Sequence, residues 1–214
     1  MHHNILFDRV KELIESYDYS GPFSLYLKEL FKANPKMGAR DRRETRDFCY
    51  HFYRIGNNLN DVSFKTKLAV ASFLCSNTPS NSLEVLLREN SDLPYVEVEA
   101  DLDRKISTVK NSYPQFELAH IFPEPEMLSD EIDRSTFLKS FLIQPRVWIR
   151  VRTKFIADVT AELKSLEIPF DQSANTSTFS FSPMQKLEHL ESYKKGYFEI
   201  QDLNSQRILD SVRP

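Results

Sequence analysis

Two sets of residues in this chain have types and spacing that could do chemistry. Arg146, Trp148, Arg150 and Arg152 alternate with Val147, Ile149 and Val151, so one face of an extended segment carries guanidiniums beside an indole. Guanidiniums pair with phosphates and an indole can stack on a base, which is the chemistry of RNA contact. The same face could instead cover a helix or dock on another domain, with Trp148 as core. The second set is helical. At 100° per residue, Arg43, Arg46, Tyr50, Tyr53 and Arg54 lie opposite Thr45, Phe48, Cys49 and Phe52. It reads either as a basic-aromatic stripe for phosphates and bases, or as a solvated face with Arg40–Glu44 and Arg43–Asp47 as i,i+4 pairs. Nucleophilic chemistry has weaker support. Cys49 sits between Phe48 and Tyr50 on the core face and Cys75 ends an apolar helix, so both read as buried small hydrophobes. Five scattered histidines and two cysteines have no metal-ligand spacing, and no nucleophile–base–acid pattern stands out. No catalytic, cofactor-binding or metal residue is therefore assigned.

Composition bounds the setting. The 214 residues are 41% hydrophobic, enough for one large or two small domains. Lys plus Arg is 28 against 31 for Asp plus Glu, a net charge of −3 that excludes a generally basic nucleic-acid binder. Any RNA contact must then come from local patches. Four glycines and 12% aromatic residues argue against disorder. No apolar run approaches the roughly 20 residues of a membrane span, and no signal-peptide core opens the chain. With only two cysteines, the expectation is a cytoplasmic chain without a membrane or metal partner.

The elements that position these residues fall into two regimes. Residues 5–17 form an amphipathic helix, and Phe23 to Phe31 a second after the Gly21-Pro22 break. The stripe-bearing helix spans about 39–56. Further helices are expected over 62–75, 82–89 and 101–110. Pro114, Pro123 and Pro125 then prevent a long helix before Met127, while Phe137, Leu138, Phe141 and Leu142 suggest one turn-rich helix after it, and 113–144 reads as a connector between domains. Near Arg146 the apolar period changes from 3.6 to 2.0. A strand over 147–151 is followed by a helix from Ile156, short strands at 168–170 and 178–181, a turn at 193–196 and a strand at 197–200. Asp202 is placed to cap a helix through Leu203, Ile208-Leu209 and Val212. The fold class is thus α+β: a helical domain over 1–112, a connector, a small α/β sandwich over 145–200, and a lead-in helix over 201–214.

Three strings carry a resemblance to a known family. P-R-V-W-I-R-V-R-T resembles the P-x-W-L-R-V-N segment of the Sun-type RNA cytosine-C5 methyltransferases (Fmu, NOL/NOP/Sun family), with Arg150 on the family arginine. G-Y-F-E-I-Q-D-L-N-S-Q, residues 196–206, is similar to their G-x-x-x-V-Q-D-x-S-S-Q segment, which lies just before the catalytic domain. A-R-D-R-R-E-T-R-D-F-C-Y-H-F-Y-R, residues 39–54, resembles the D-R-x-x-x-x-x-L-x-Y-G-x-x-R helix of NusB-like domains, with Asp41-Arg42 and Arg54 on the pattern.

The resemblance implies a NusB-like all-helical domain followed by an RRM-like pre-catalytic module. The implied function is the RNA-positioning, rRNA-directed front of an S-adenosylmethionine-dependent methyltransferase, in a transferase of rRNA processing. The family takes its nucleophile and methyl donor from P-C-S and T-C-S segments and a glycine-rich loop, none of which this chain carries as such. S-adenosylmethionine therefore belongs to a missing C-terminal domain, itself an expected partner, and this chain alone is expected to be non-catalytic. The implied RNA-binding residues are Arg43, Arg46, Tyr50, Arg54, Arg146, Trp148, Arg150 and Arg152. If these engage four to six phosphates of single-stranded RNA, log K should fall against log salt with a slope of roughly −3 to −4. The rival reading is a stand-alone, non-catalytic helical module that binds protein.

Overall fold

A computed structural model describes residues 2–95, 97–173, 177–183 and 185–208. The chain divides into two compact units, Met1–Ile143 and Gln144–Pro214. The first is helical, with α1 His2–Ser16, α2 Phe23–Ala33, α3 Ala39–Arg54, α4 Phe64–Cys75, α5 Asn81–Asn90, α6 Leu102–Ser112 and α7 Arg134–Ser140. Every residue from Lys67 to Cys75 is buried, so α4 is the central helix and needs no polar face. Ser63 starts it, its hydroxyl accepting from the Thr66 amide at 3.1 Å. One core gathers Phe7, Val10, Leu27, Phe48 and Leu68 from α1 to α4. The other gathers Val70 and Leu74 of α4 with Ile106 and Val109 of α6.

That second core also takes in Tyr113, Phe116, Ile121, Leu138 and Leu142. Of the expected connector 113–144, all but residue 144 thus belongs to the helical unit. The prolines do prevent a long helix there, but a 3-10 turn at Leu118–Ile121 and the short α7 deliver apolar side chains just as well. Arg54 fastens the segment, donating to the carbonyls of Phe141 at 2.6 Å and Ile143 at 2.9 Å.

Two buried lysines end their neighbours' helices. Lys67 donates to the Gly56 carbonyl at 3.1 Å just past α3 and to Asn60 Oδ1 at 2.6 Å. Lys105 donates to the Ser76 carbonyl just past α4. A cation at a helix C-terminus meets the negative end of the dipole. Burial pulls both ammoniums below their usual range.

Helix α3 stops at Arg54, two residues before the expected end. Gly56 adopts φ +56°, and a Cβ there would lie 2.4 Å from the Ile121 carbonyl oxygen and 2.5 Å from that of His120. Only glycine permits both the left-handed backbone and this close approach. The next residues hold the 3-10 turn: Asn57 N–H donates to the His120 carbonyl at 2.9 Å, and Asn58 Oδ1 accepts from the Glu117 amide at 2.8 Å.

The second unit runs β1 Val147–Val151, α8 Ile156–Ser165, β2 Asp171–Gln172, β3 Thr178–Phe181, α9 Glu191–Lys194, β4 Phe198–Ile200 and α10 Leu203–Arg207. The four strands form an antiparallel sheet in the order β2-β3-β1-β4. Mixed α+β is therefore the fold class of the chain. Period-two alternation puts Ile149, Val151, Phe179, Phe181 and Phe198 on one face, where they bury against Val159 and Leu163 of α8 and against Leu187 and Leu190. Each such fully buried side chain contributes about 1.5–3 kcal/mol.

Two expected elements shifted. The second strand begins at Asp171 and not at Ile168, since Pro169 has no N–H for a ladder; Phe170 stacks on Phe179 instead, centroids 5.2 Å apart. The turn before β4 is preceded by a single helical turn, α9, whose first two amides donate to Glu162 of α8 at 2.8 and 3.0 Å. Asp202 caps α10, accepting from the Asn204 and Ser205 amides at 2.6 and 3.3 Å. Leu209 and Val212 lie outside the described residues. No helix among them is long and apolar enough to cross a membrane.

Candidate nucleic-acid interface

The two arginine sets lie in different units. On α3, Arg43 is exposed, whereas Arg46 lies 3.1 Å from Asp47, taking the carboxylate expected for Arg43. Burial pushes the Asp47 carboxyl up against the pull of Arg46. Tyr50 and Tyr53 pack edge-on against Phe23 of α2, centroids 5.8 and 5.1 Å away. Arg54 is committed to the carbonyls of 141 and 143. Arg42, on the family pattern, reaches back to the Asn34 and Pro35 carbonyls at 3.3 and 3.2 Å, just beyond the end of α2. Opposite the core, α3 is therefore covered in part by α2 and the 141–143 segment. Arg43 keeps an exposed charge; Arg54 and the tyrosines serve packing.

In the second unit the alternation of β1 puts Arg146, Trp148 and Arg150 on the sheet face away from the helices. Trp148 stands opposite Ser180, and Arg150 between Thr178 and Glu199. Trp148 is half-buried and the three arginine side chains are 42–58% exposed. They are not free charges. Arg146 is paired with Asp171 of β2, and Glu199 of β4 is shared by Arg150 at 3.2 Å and Arg152 at 3.6 Å. Three guanidiniums against two carboxylates leave a local charge of +1. The far part of the face is partly roofed by α10, where Gln206 bonds to Thr178 at 2.8 Å and to the Gln201 carbonyl at 2.8 Å. Gln201 in turn donates from its backbone to the Trp148 carbonyl at 3.0 Å.

The sequence offered no signal for Asp171 and Glu199. They reach the face only through strand pairing, 25 and 49 residues from their arginines. The charge division follows the units. Residues 144–214 hold 10 basic and 9 acidic residues, net +1, whereas 1–143 hold 18 basic and 22 acidic, net −4.

Both cysteines are buried and burial pushes their thiols up to about 12, so they remain protonated and poorly nucleophilic. Among the described residues no group of three or more His, Cys, Asp or Glu is placed to hold a metal. A cavity of about 360 Å³ opens between α1, α3 and α5. Its Arg9 and Arg40 face Asp41 and Glu44, and both Arg40 and Ser82 bond to Glu44, at 2.8 and 2.7 Å. Its charges offset one another. No family model matches this chain, and no curated protein resembles it significantly.

Proposed function

We propose that this chain is the RNA-positioning front of a Sun-type RNA cytosine-C5 methyltransferase acting on ribosomal RNA, with S-adenosylmethionine and the reactive thiolate supplied by a catalytic domain outside it. A NusB-like helical domain and an RRM-like module are the finer identities this reading assigns to the two units. The observation that carries it is the second unit. A β-α-β-β-α-β order with sheet order β2-β3-β1-β4 leaves one face free of helices α8 and α9, and on that face stand an indole and three guanidiniums. RRM-type modules lay single-stranded RNA on such a face, stacking bases on aromatic side chains. In this chain Trp148 would stack a base while phosphates compete with Asp171 and Glu199 for the arginines.

Two substitutions test it. Trp148→Ala should weaken binding of single-stranded RNA by about 1–3 kcal/mol while changing unfolding by less, because the indole is only half-buried. A loss of about 3–5 kcal/mol of folding stability would mark a packing tryptophan instead. Glu199→Gln removes the carboxylate shared by Arg150 and Arg152 and should tighten RNA binding, with the salt slope steeper by about 0.7 to 1.4. If Glu199→Gln leaves binding unchanged, the face does not meet RNA, and a protein-docking role becomes the better account.

A further inference from the structure

On the sheet face that carries Trp148 positive charge is offset by carboxylates, but at one end of the same sheet two ammoniums are held by rings. Val151 of β1 pairs with Phe198 of β4, so the segment leaving β1, 152–155, runs beside the segment entering β4, 194–197. The Arg152 amide joins them, donating to the Tyr197 carbonyl at 2.9 Å. Phe155 and Tyr197 stack with centroids 3.8 Å apart and planes 12° from parallel. Lys154 Nζ lies 4.7 Å from the Phe155 centroid, and Lys195 Nζ lies 5.9 Å from that of Tyr197.

A ring quadrupole orients a cation but carries no net charge, so the positive potential survives. A carboxylate in the same place would cancel it. The ion pairs of this unit among the described residues use Arg146, Arg150, Arg152 and Lys194, not Lys154 or Lys195. Glu162, which feels the Lys195 charge, makes its hydrogen bonds to the Glu191 and Ser192 amides and none to Lys195, so it offsets that charge only at a distance. Both lysines are exposed, and the space over Gly196 between Lys195 and Tyr197 is open.

We propose that this strand end is a phosphate clamp for the backbone of single-stranded RNA, with Lys154 and Lys195 as its charges and the Phe155–Tyr197 stack as their support. It contacts backbone and not bases, because each ring is covered on its inner side by the other ring and on its outer side by an ammonium, so the two lysines flank the stack. The polyphosphate is taken to be RNA on the strength of the reading above; the clamp itself needs only the local geometry.

The test is amide chemical-shift mapping of the 214-residue chain with an oligouridine of roughly 12 nucleotides, and separately with tripolyphosphate. Both should shift the amides of 152–155 and 194–197. Lys154→Ala/Lys195→Ala should weaken oligouridine binding about tenfold at low salt and make the salt slope shallower by about 1.4, and the Lys→Arg pair should restore both. The clamp is overturned if RNA shifts the Trp148 face but not the strand end, or if the alanine pair binds like the parent. It is equally overturned if neither ligand moves these amides. If tripolyphosphate saturates the strand end while RNA binds nowhere, the clamp stands and the RNA reading fails.

Discussion

Replacing Gly56 by alanine is expected to lower the unfolding free energy by about 2–6 kcal/mol. Two costs combine. The φ of +56° is strained for any residue with a Cβ, at about 1–3 kcal/mol. The new methyl also meets the backbone oxygens of His120 and Ile121 at 2.5 and 2.4 Å, and backbone cannot rotate away as a side chain can. Forced repacking of that kind costs about another 1–3 kcal/mol. Urea unfolding followed by circular dichroism measures it. A variant as stable as the parent would show that the 117–121 segment does not dock on the end of α3.

Acidification from pH 7 to pH 5 is expected to cost about 2 kcal/mol through His51 alone. Burial, helped by the nearby Arg54 and Lys105 charges, pushes its imidazole down to about 3 from the ordinary 6.5. The folded chain therefore keeps His51 neutral where the unfolded chain protonates it. Between pH 6.5 and 3 the unfolded state binds more protons, so stability falls as pH falls, by up to about 1.4 kcal/mol per unit. Above pH 6.5 the contribution is complete. Asp133, held low by its bond from Thr136, loses its share only below its ordinary value near 3.8. Asp47, pushed up by burial, acts in the opposite sense because the folded chain holds its proton more tightly. Urea unfolding at pH 7, 6 and 5 should show the fall in the parent and a flatter profile in His51→Phe. Equal slopes for the two chains would mean that His51 does not set acid stability.

What could be read from the sequence was local. The period-two run at 147–151, the cap at Asp202 and the burial of Cys49 and Cys75 need only neighbouring residues, and the structure has all of them. The place of 113–143 could not be read that way. Prolines reveal that a helix is broken, but they are silent on whether the broken chain carries core residues such as Phe116 and Ile121. The candidate interface shows the same division. The arginines of 146–152 form a visible pattern, while the carboxylates that offset them arrive through β2 and β4. Arg54 looked like a surface cation because its carbonyl partners lie 87 and 89 residues away. Lys154 and Lys195 carried no signal at all, since only the pairing of β1 with β4 brings their rings together.

These pairings change the expected electrostatics of binding. With Arg54 committed to carbonyls and the sheet arginines sharing two carboxylates, the face offers one net charge and the strand end two more. Three phosphates neutralised on single-stranded RNA give a slope of about −2 for log K against log salt, shallower than the −3 to −4 expected from the arginines counted singly. Fluorescence anisotropy of a labelled oligouridine with the 214-residue chain, across a salt series at pH 7, tests the account most directly. Saturable binding at low salt with a slope near −2 is the predicted result. No saturation at any salt concentration, or affinity independent of salt, would contradict an RNA-positioning role for this chain.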